Sequence, residues 1–166
     1  MTPGRTSLAA AGAAAAVVAL DQLTKVLVRN WLELGERHDV VLGIKLVNVR
    51  NTGIAFGFLA DGGALLVVGT AIALLALVTF FVTHSGRALV WLPTGLLLGG
   101  AIGNLVDRAR EGSVTDFVKL PHFPAFNVAD MAITAGVLAL LYVLEGPPRR
   151  RANADAARRA EAGDAA

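Results

Sequence analysis

The sequence predicts an all-α integral membrane protein, with four transmembrane helices, a small extracytoplasmic β-containing platform and a short surface helix. Three observations lead there. Only 17 % of the 166 residues are charged against 55 % hydrophobic, with a mean hydropathy of +0.60, whereas a water-soluble domain carries about 25 % charged residues. Charges are absent from two runs long enough to cross a bilayer, and two shorter uncharged runs reach that length with their polar ends included. The polar residues that do interrupt the hydrophobic segments gather towards one end of them.

The same composition removes other classes. High hydrophobicity excludes disorder. With no cysteine there is no disulfide framework, zinc–thiolate site or cysteine nucleophile. His38, His84 and His122 are scattered, fit interfacial positions and do not suggest a metal site. The net charge of +2 comes largely from arginines at the C-terminal end, so no nucleic-acid surface is expected. No cofactor is called for.

The first helix is expected at 7–28. Residues 6–20 are uncharged, then Asp21 and Lys25 interrupt the apolar run. Arg5 and the alanine-rich core would suit a signal peptide. Asp21 and Lys25 stand where its cleavage region should be, however, so the helix is read as retained. The loop 29–61 is too long for a simple connector. Its stretch 40–50 is β-branched and partly alternating, which predicts one strand or two short ones. Residues 54–59 are apolar with Phe56 and Phe58, a surface segment that is either a lid hinged on flanking glycines or a fixed anchor.

A second helix is expected at 62–83, where 22 residues carry no charge, and a third at 88–108, beginning with 19 uncharged residues. At about 1.5 Å per residue, both cross a hydrocarbon core of about 30 Å. Gly95, Gly99 and Gly103 recur every four residues, the spacing of close helix packing. The fourth helix is expected at 126–145 and ends at Gly146-Pro147-Pro148. Residues 1–145 then form one domain, and 146–166 a mobile basic cytoplasmic tail. Trp31 and Trp91 fit interfacial anchors.

Four spans place both termini on one side. Arg5, Arg87 and the tail arginines favour the cytoplasm for that side, although the outer loops are not poor in basic residues. Asp21 and Lys25 then lie at the outer end of the first helix, and Asn104, Asp107 and Arg108 at that of the third. Asn51, Thr52, Gly53 and Asp116 lie in outer loops, with Asn127 and Asp130 in the first turn of the fourth helix. Charges within spans are costly and mark function. Spacing leaves alternatives open. Asp21 and Lys25, four apart, can be a mere intrahelical ion pair. Asp107 beside Arg108 can be a helix-end salt bridge. Asp116 and Asp130 lack an adjacent basic residue, and two carboxylates close together in a low-dielectric site separate their titrations. One keeps a proton and the other activates water, as aspartic peptide hydrolysis requires.

Asp21-Gln22-Leu23-Thr24-Lys25, Asn51-Thr52-Gly53-Ile54-Ala55-Phe56, Gly103-Asn104-Leu105-Val106-Asp107-Arg108, Gly112-Ser113-Val114-Thr115-Asp116-Phe117 and Phe126-Asn127-Val128-Ala129-Asp130 together resemble the ordered motif set of lipoprotein signal peptidases (prolipoprotein signal peptidase, signal peptidase II). The resemblance runs from about residue 7 to 144. It implies a bacterial inner (plasma) membrane aspartic endopeptidase with its site near the extracytoplasmic face. Such enzymes cut the signal peptide from a prolipoprotein just before a diacylglyceryl-modified cysteine. The catalytic pair maps onto Asp116 and Asp130. The substrate-binding or dyad-supporting residues map onto Asp21, Lys25, Asn51, Gly53, Asn104, Arg108 and Asn127, with Arg108 expected to tie Asp107 or to shape the site. The implied partners are diacylglyceryl-modified prolipoproteins and membrane lipid, and the chain is expected to act as a monomer. The rival reading is a small proton-coupled transporter using Asp21 and Asp130. It needs acids near the midplane, whereas these lie at one end of the helices. A non-catalytic assembly factor, the third reading, would not need its aspartates.

Overall fold

The computed structural model describes residues 3–53, 69, 72, 75–77, 79, 83 and 89–145. In chain order these form α1 (Pro3–Trp31), β1 (Arg37–Val41), β2 (Ile44–Asn51), α2 (Trp91–Glu111), β3 (Val114–Lys119) and α3 (Val128–Glu145). The helices fall on the first, third and fourth expected spans: α1 is longer at both ends, α2 starts and ends three residues later than expected, and α3 starts two residues later. Within the second, positions 69, 72, 75–77, 79 and 83 are helical. The rest of that span, the segment 54–59 and the tail lie outside the described residues. Among the described residues α1 is long and apolar enough to cross a membrane; Val128–Leu144 is apolar but shorter.

Glycines set how closely the helices approach. Gly95 and Gly99 of α2 face Ala10, Ala13, Ala14 and Val17 of α1 so tightly that a methyl group at either would meet backbone oxygen at 2.8 Å. Gly100 faces the Ala129 carbonyl of α3, and Gly136 of α3 faces Leu96 and Leu97. Between lipid-exposed helices, packing of this kind replaces the hydrophobic drive that water would supply. The exterior matches: Leu8, Leu20, Leu23, Leu27, Leu138 and Leu141 are exposed while Asp21, Lys25, Asn104, Asp107 and Asn127 are buried. That distribution inverts a water-soluble domain. Gly112, at φ 68°, ends α2 in the left-handed conformation, its N–H bonding the Arg108 carbonyl at 3.1 Å.

The platform is a three-stranded antiparallel sheet in the order β1-β2-β3. The predicted 40–50 strand is the β1–β2 hairpin, with Val41 opposite Ile44 and both turn residues, Leu42 and Gly43, at positive φ. The strand β3 was not expected, since 112–117 reads as loop; its Val-Thr-Asp-Phe-Val run carries the β-branched and aromatic enrichment that could have signalled it. Val28 of α1 and Leu32 just beyond its end pack on Phe117 of β3, seating the sheet on the end of that helix. Asn48 adds a hydrogen bond from its amide to the Leu32 carbonyl at 2.8 Å.

Candidate active site

Strand β3 delivers Asp116. After it the chain turns at 120–125 and comes back beside the strand: Phe117 and Val118 donate to the Phe126 carbonyl, and Phe126 donates to Val118. This return sets Asn127 and the start of α3 against Asp116. Asn127 caps α3. Its Oδ1 accepts the Asp130 N–H at 3.0 Å, and Asp130 Oδ2 accepts the Asn127 N–H at 3.2 Å. The reciprocal pair is a capping box, and Asn127 is thus the cap rather than part of the expected first turn. With its backbone N–H and side-chain oxygen engaged in the cap, Asn127 donates from its side-chain Nδ2 to Asp116 Oδ1 at 2.7 Å. One asparagine therefore links both aspartates.

Two more asparagines complete the arrangement. Asn51 on β2 donates to Asp116 Oδ2 at 2.9 Å. It lies diagonally across from Asp116, whose direct partner is Val49. The Asn51 carbonyl oxygen is held by the Gly53 N–H at 2.8 Å, which aims the amide at Asp116. Gly53 sits at φ 76°, where glycine is favoured. Asn104 on α2 donates to Asp130 Oδ1 at 2.8 Å. Burial pushes the Asp116 carboxyl from its ordinary 3.8 up to about 6. Asn51's hydrogen bond opposes this, Asp130's charge adds to it, and Asn127 and Lys25 pull it back.

Beneath the pair lies a buried ionic cluster. Lys25 Nζ meets Asp21 Oδ2 at 2.8 Å, Asp107 Oδ2 at 3.2 Å and Asn104 Oδ1 at 3.0 Å. The intrahelical pair of Asp21 and Lys25 is real, but it is one of three contacts that the ammonium makes. Gln22 Nε2 lies within hydrogen-bond reach of both Asp21 and Asp107, and Arg29 donates to Thr115 Oγ1 at 3.0 Å. Gln22, Arg29 and Thr115 were missed from sequence, and Asp107 was not placed among the site residues; all lie one turn or one residue from residues that were. The expectation that Arg108 ties Asp107 is corrected. Neighbouring helix residues point about 100° apart, so Asp107 turns inward to Lys25, and Arg108 keeps a buried Nε with no hydrogen-bond partner.

Beside Asp130 opens an apolar cavity of about 590 Å³, lined by Leu120, Phe123, Phe126, Met131 and Leu138 among others. Tightly packed helices with an apolar exterior, and two aspartates bound to the same asparagine beside an apolar groove, are the arrangement expected of a membrane hydrolase of the aspartic type.

The comparisons give the particular family. The model for signal peptidase (SPase) II matches residues 13–145. The lipoprotein signal peptidase of Brevibacillus brevis is 42 % identical over 132 residues, covering 77 % of this chain and 89 % of the relative. That of Nitratidesulfovibrio vulgaris is 39 % identical over 153 residues, covering 86 % and 93 %. A bacterial membrane enzyme solved by the in meso method superposes with a TM-score of 0.76 at 33 % identity, covering 85 % of this chain and 92 % of that one. The chain belongs to the signal peptidase II family and is an aspartic-type membrane peptidase. The transporter reading finds no support among these relatives.

Proposed function

We propose that the chain removes signal peptides from prolipoproteins, hydrolysing the bond before a diacylglyceryl-modified cysteine, with Asp116 and Asp130 as the catalytic pair. The observation that carries this is the shared grip of Asn127 on both carboxyl groups at the mouth of an apolar groove. A lipidated substrate entering sideways from the bilayer lays an apolar portion along Phe126, Met131 and Leu138 and presents its scissile carbonyl to the pair.

Asp116, the more buried of the two, holds the shared proton, in keeping with its raised pKa. It hydrogen-bonds the scissile carbonyl. Asp130, at the groove, takes a proton from the attacking water. The tetrahedral intermediate then collapses as a proton passes to the leaving amine. Asn51, Asn104 and Asn127 keep the carboxyl groups aimed while the charge moves. Arg108, its Nε without a partner, has donor capacity left for substrate. Four spans, both termini in the cytoplasm, a site near the extracytoplasmic face of the inner membrane and a monomeric enzyme complete the reading. The four-residue glycine stripe, the inverted burial and the arginine-rich terminus support it.

The test is cleavage of a lipidated prolipoprotein by purified protein. Asp116→Asn and Asp130→Asn each abolish turnover while melting cooperatively, because an amide can neither take nor give the proton. Near-normal turnover in either variant overturns the assignment.

A further inference from the structure

The catalytic carboxyl groups sit on consecutive elements, β3 and α3, and beyond the bonds of Phe126 to Phe117 and Val118 it is side chains that fix where the two backbones stand. Each backbone is gripped at a matching place. Asp107 Oδ2 accepts the N–H of Thr115 at 2.9 Å, the residue before Asp116. Asp21 Oδ1 accepts the N–H of Ala129 at 3.0 Å, the residue before Asp130. Both carboxylates share one cation: Lys25, fully buried, lies 2.8 Å from Asp21 and 3.2 Å from Asp107. Its third donor goes to Asn104 Oδ1 at 3.0 Å, and the Asn104 amide holds Asp130. An ammonium has three donors, and each leads to one or other catalytic residue.

We infer that Lys25, Asp21 and Asp107 act as one positioning device, in which a single ammonium joins the two carboxylates that hold the backbones of the catalytic pair at working separation. This rests on the Asp116–Asp130 reading. Helix packing does not rest on the device alone. The α1–α2 contact is made without a charge at Gly95 and Gly99 against Ala10, Ala13, Ala14 and Val17, and the device joins it one turn further on, where Gly103 faces Asp21. Buried ion clusters are weak stabilisers, often replaceable by apolar groups at no loss. Here each carboxylate ends on the amide immediately before a catalytic residue. Gln22 Nε2 reaches Asp21 at 3.2 Å and Asp107 at 3.0 Å, a second brace across the same two carboxylates.

The full chain, purified in detergent, is assayed on a lipidated prolipopeptide. Asp107→Asn keeps one oxygen for the Thr115 amide and lowers kcat about tenfold; Asp107→Ala keeps none and lowers it about a hundredfold, the scale of a 1 Å misplacement. KM stays within about threefold in both, because the groove is untouched. The triple variant Asp21→Asn, Lys25→Met and Asp107→Asn removes the three charges together, so that no lone ion is left buried. It keeps a melting temperature near that of the parent and still loses kcat. The proposal is overturned if kcat stays within about twofold of the parent while Asp116→Asn is dead, or if every loss tracks the unfolded fraction and vanishes on cooling. If Asp116→Asn itself turns over, the dyad reading has failed and this inference falls with it.

Discussion

Alanine at Gly99 is a sharp test of how α1 and α2 meet. The added Cβ would lie 2.7 Å from the Val17 Cβ, 3.0 Å from its Cγ1 and 2.8 Å from the Ala14 carbonyl oxygen. Carbon contacts settle at about 3.5–4.0 Å, so the helices must part by about 1 Å at this point. Neither obstacle can swing away, one being backbone and the other a β-branched side chain at its root. Overpacking costs about 1–3 kcal/mol, and the better helix propensity of alanine returns up to about 1 kcal/mol. A net loss of about 1–2 kcal/mol corresponds to a melting temperature lower by about 3–6 °C for a chain of this size. The assay is thermal unfolding in detergent followed by circular dichroism. Gly12→Ala is the control: nothing lies within 4 Å of its added Cβ, so it should melt at or above the parent. Gly103→Ala aims its Cβ at Asp21 Oδ2, 2.6 Å away. It should therefore lose activity out of proportion to its stability, because Asp21 is braced by Lys25. If Gly99→Ala melts at or above the parent, the close α1–α2 approach is wrong.

Other outcomes follow from the site. The carboxyl of Asp116, raised to about 6, must keep its proton to serve as the acid, so kcat/KM falls on the alkaline side of a midpoint near that value. Asn51→Ala removes the donor that opposes the rise and moves this limb to higher pH; a limb that stays put or moves down refutes the assignment. Asn127→Ala loses a helix cap, costing about 0.5–2 kcal/mol, together with the amide that holds Asp116. Asn127→Ser restores the cap and the melting temperature but not turnover, and equal rescue of both would show that the amide has no part in the site. A reporter fused after Arg151 should read as cytoplasmic and one inserted near Asp39 as extracytoplasmic; the reverse labelling would overturn the proposed orientation.

Local pattern was enough for the helices and for much of the site. Gaps between charges marked α1, α2 and α3, because a helix in an apolar setting keeps its charges near its ends or turns them inward against a neighbouring helix. The four-residue repeat of Gly95, Gly99 and Gly103 announced a packing face, since residues four apart share one side of a helix. The β1–β2 hairpin was visible in its β-branched run, and the side-chain pairing of Asp21 with Lys25 followed from spacing alone. Among the described residues, the ordered motifs singled out the side chains that donate to Asp116 and Asp130, namely Asn51, Asn104 and Asn127.

What only the tertiary structure decided concerns partners distant along the chain. That 114–119 is a strand depends on hydrogen bonds to β2, more than sixty residues earlier. That Asp107 belongs to Lys25 rather than to Arg108 depends on the angle between consecutive helix residues and on where α1 lies. The joint roles of Asn127, as cap for α3 and donor to Asp116, emerge only when the chain returns beside β3. The sequence by itself determined which residues are polar in an apolar setting and towards which end of each apolar run they lie, because that is a one-dimensional property of the chain. Which of them touch was decided by glycine-set helix approach and sheet register, and neither is encoded by any single stretch of chain.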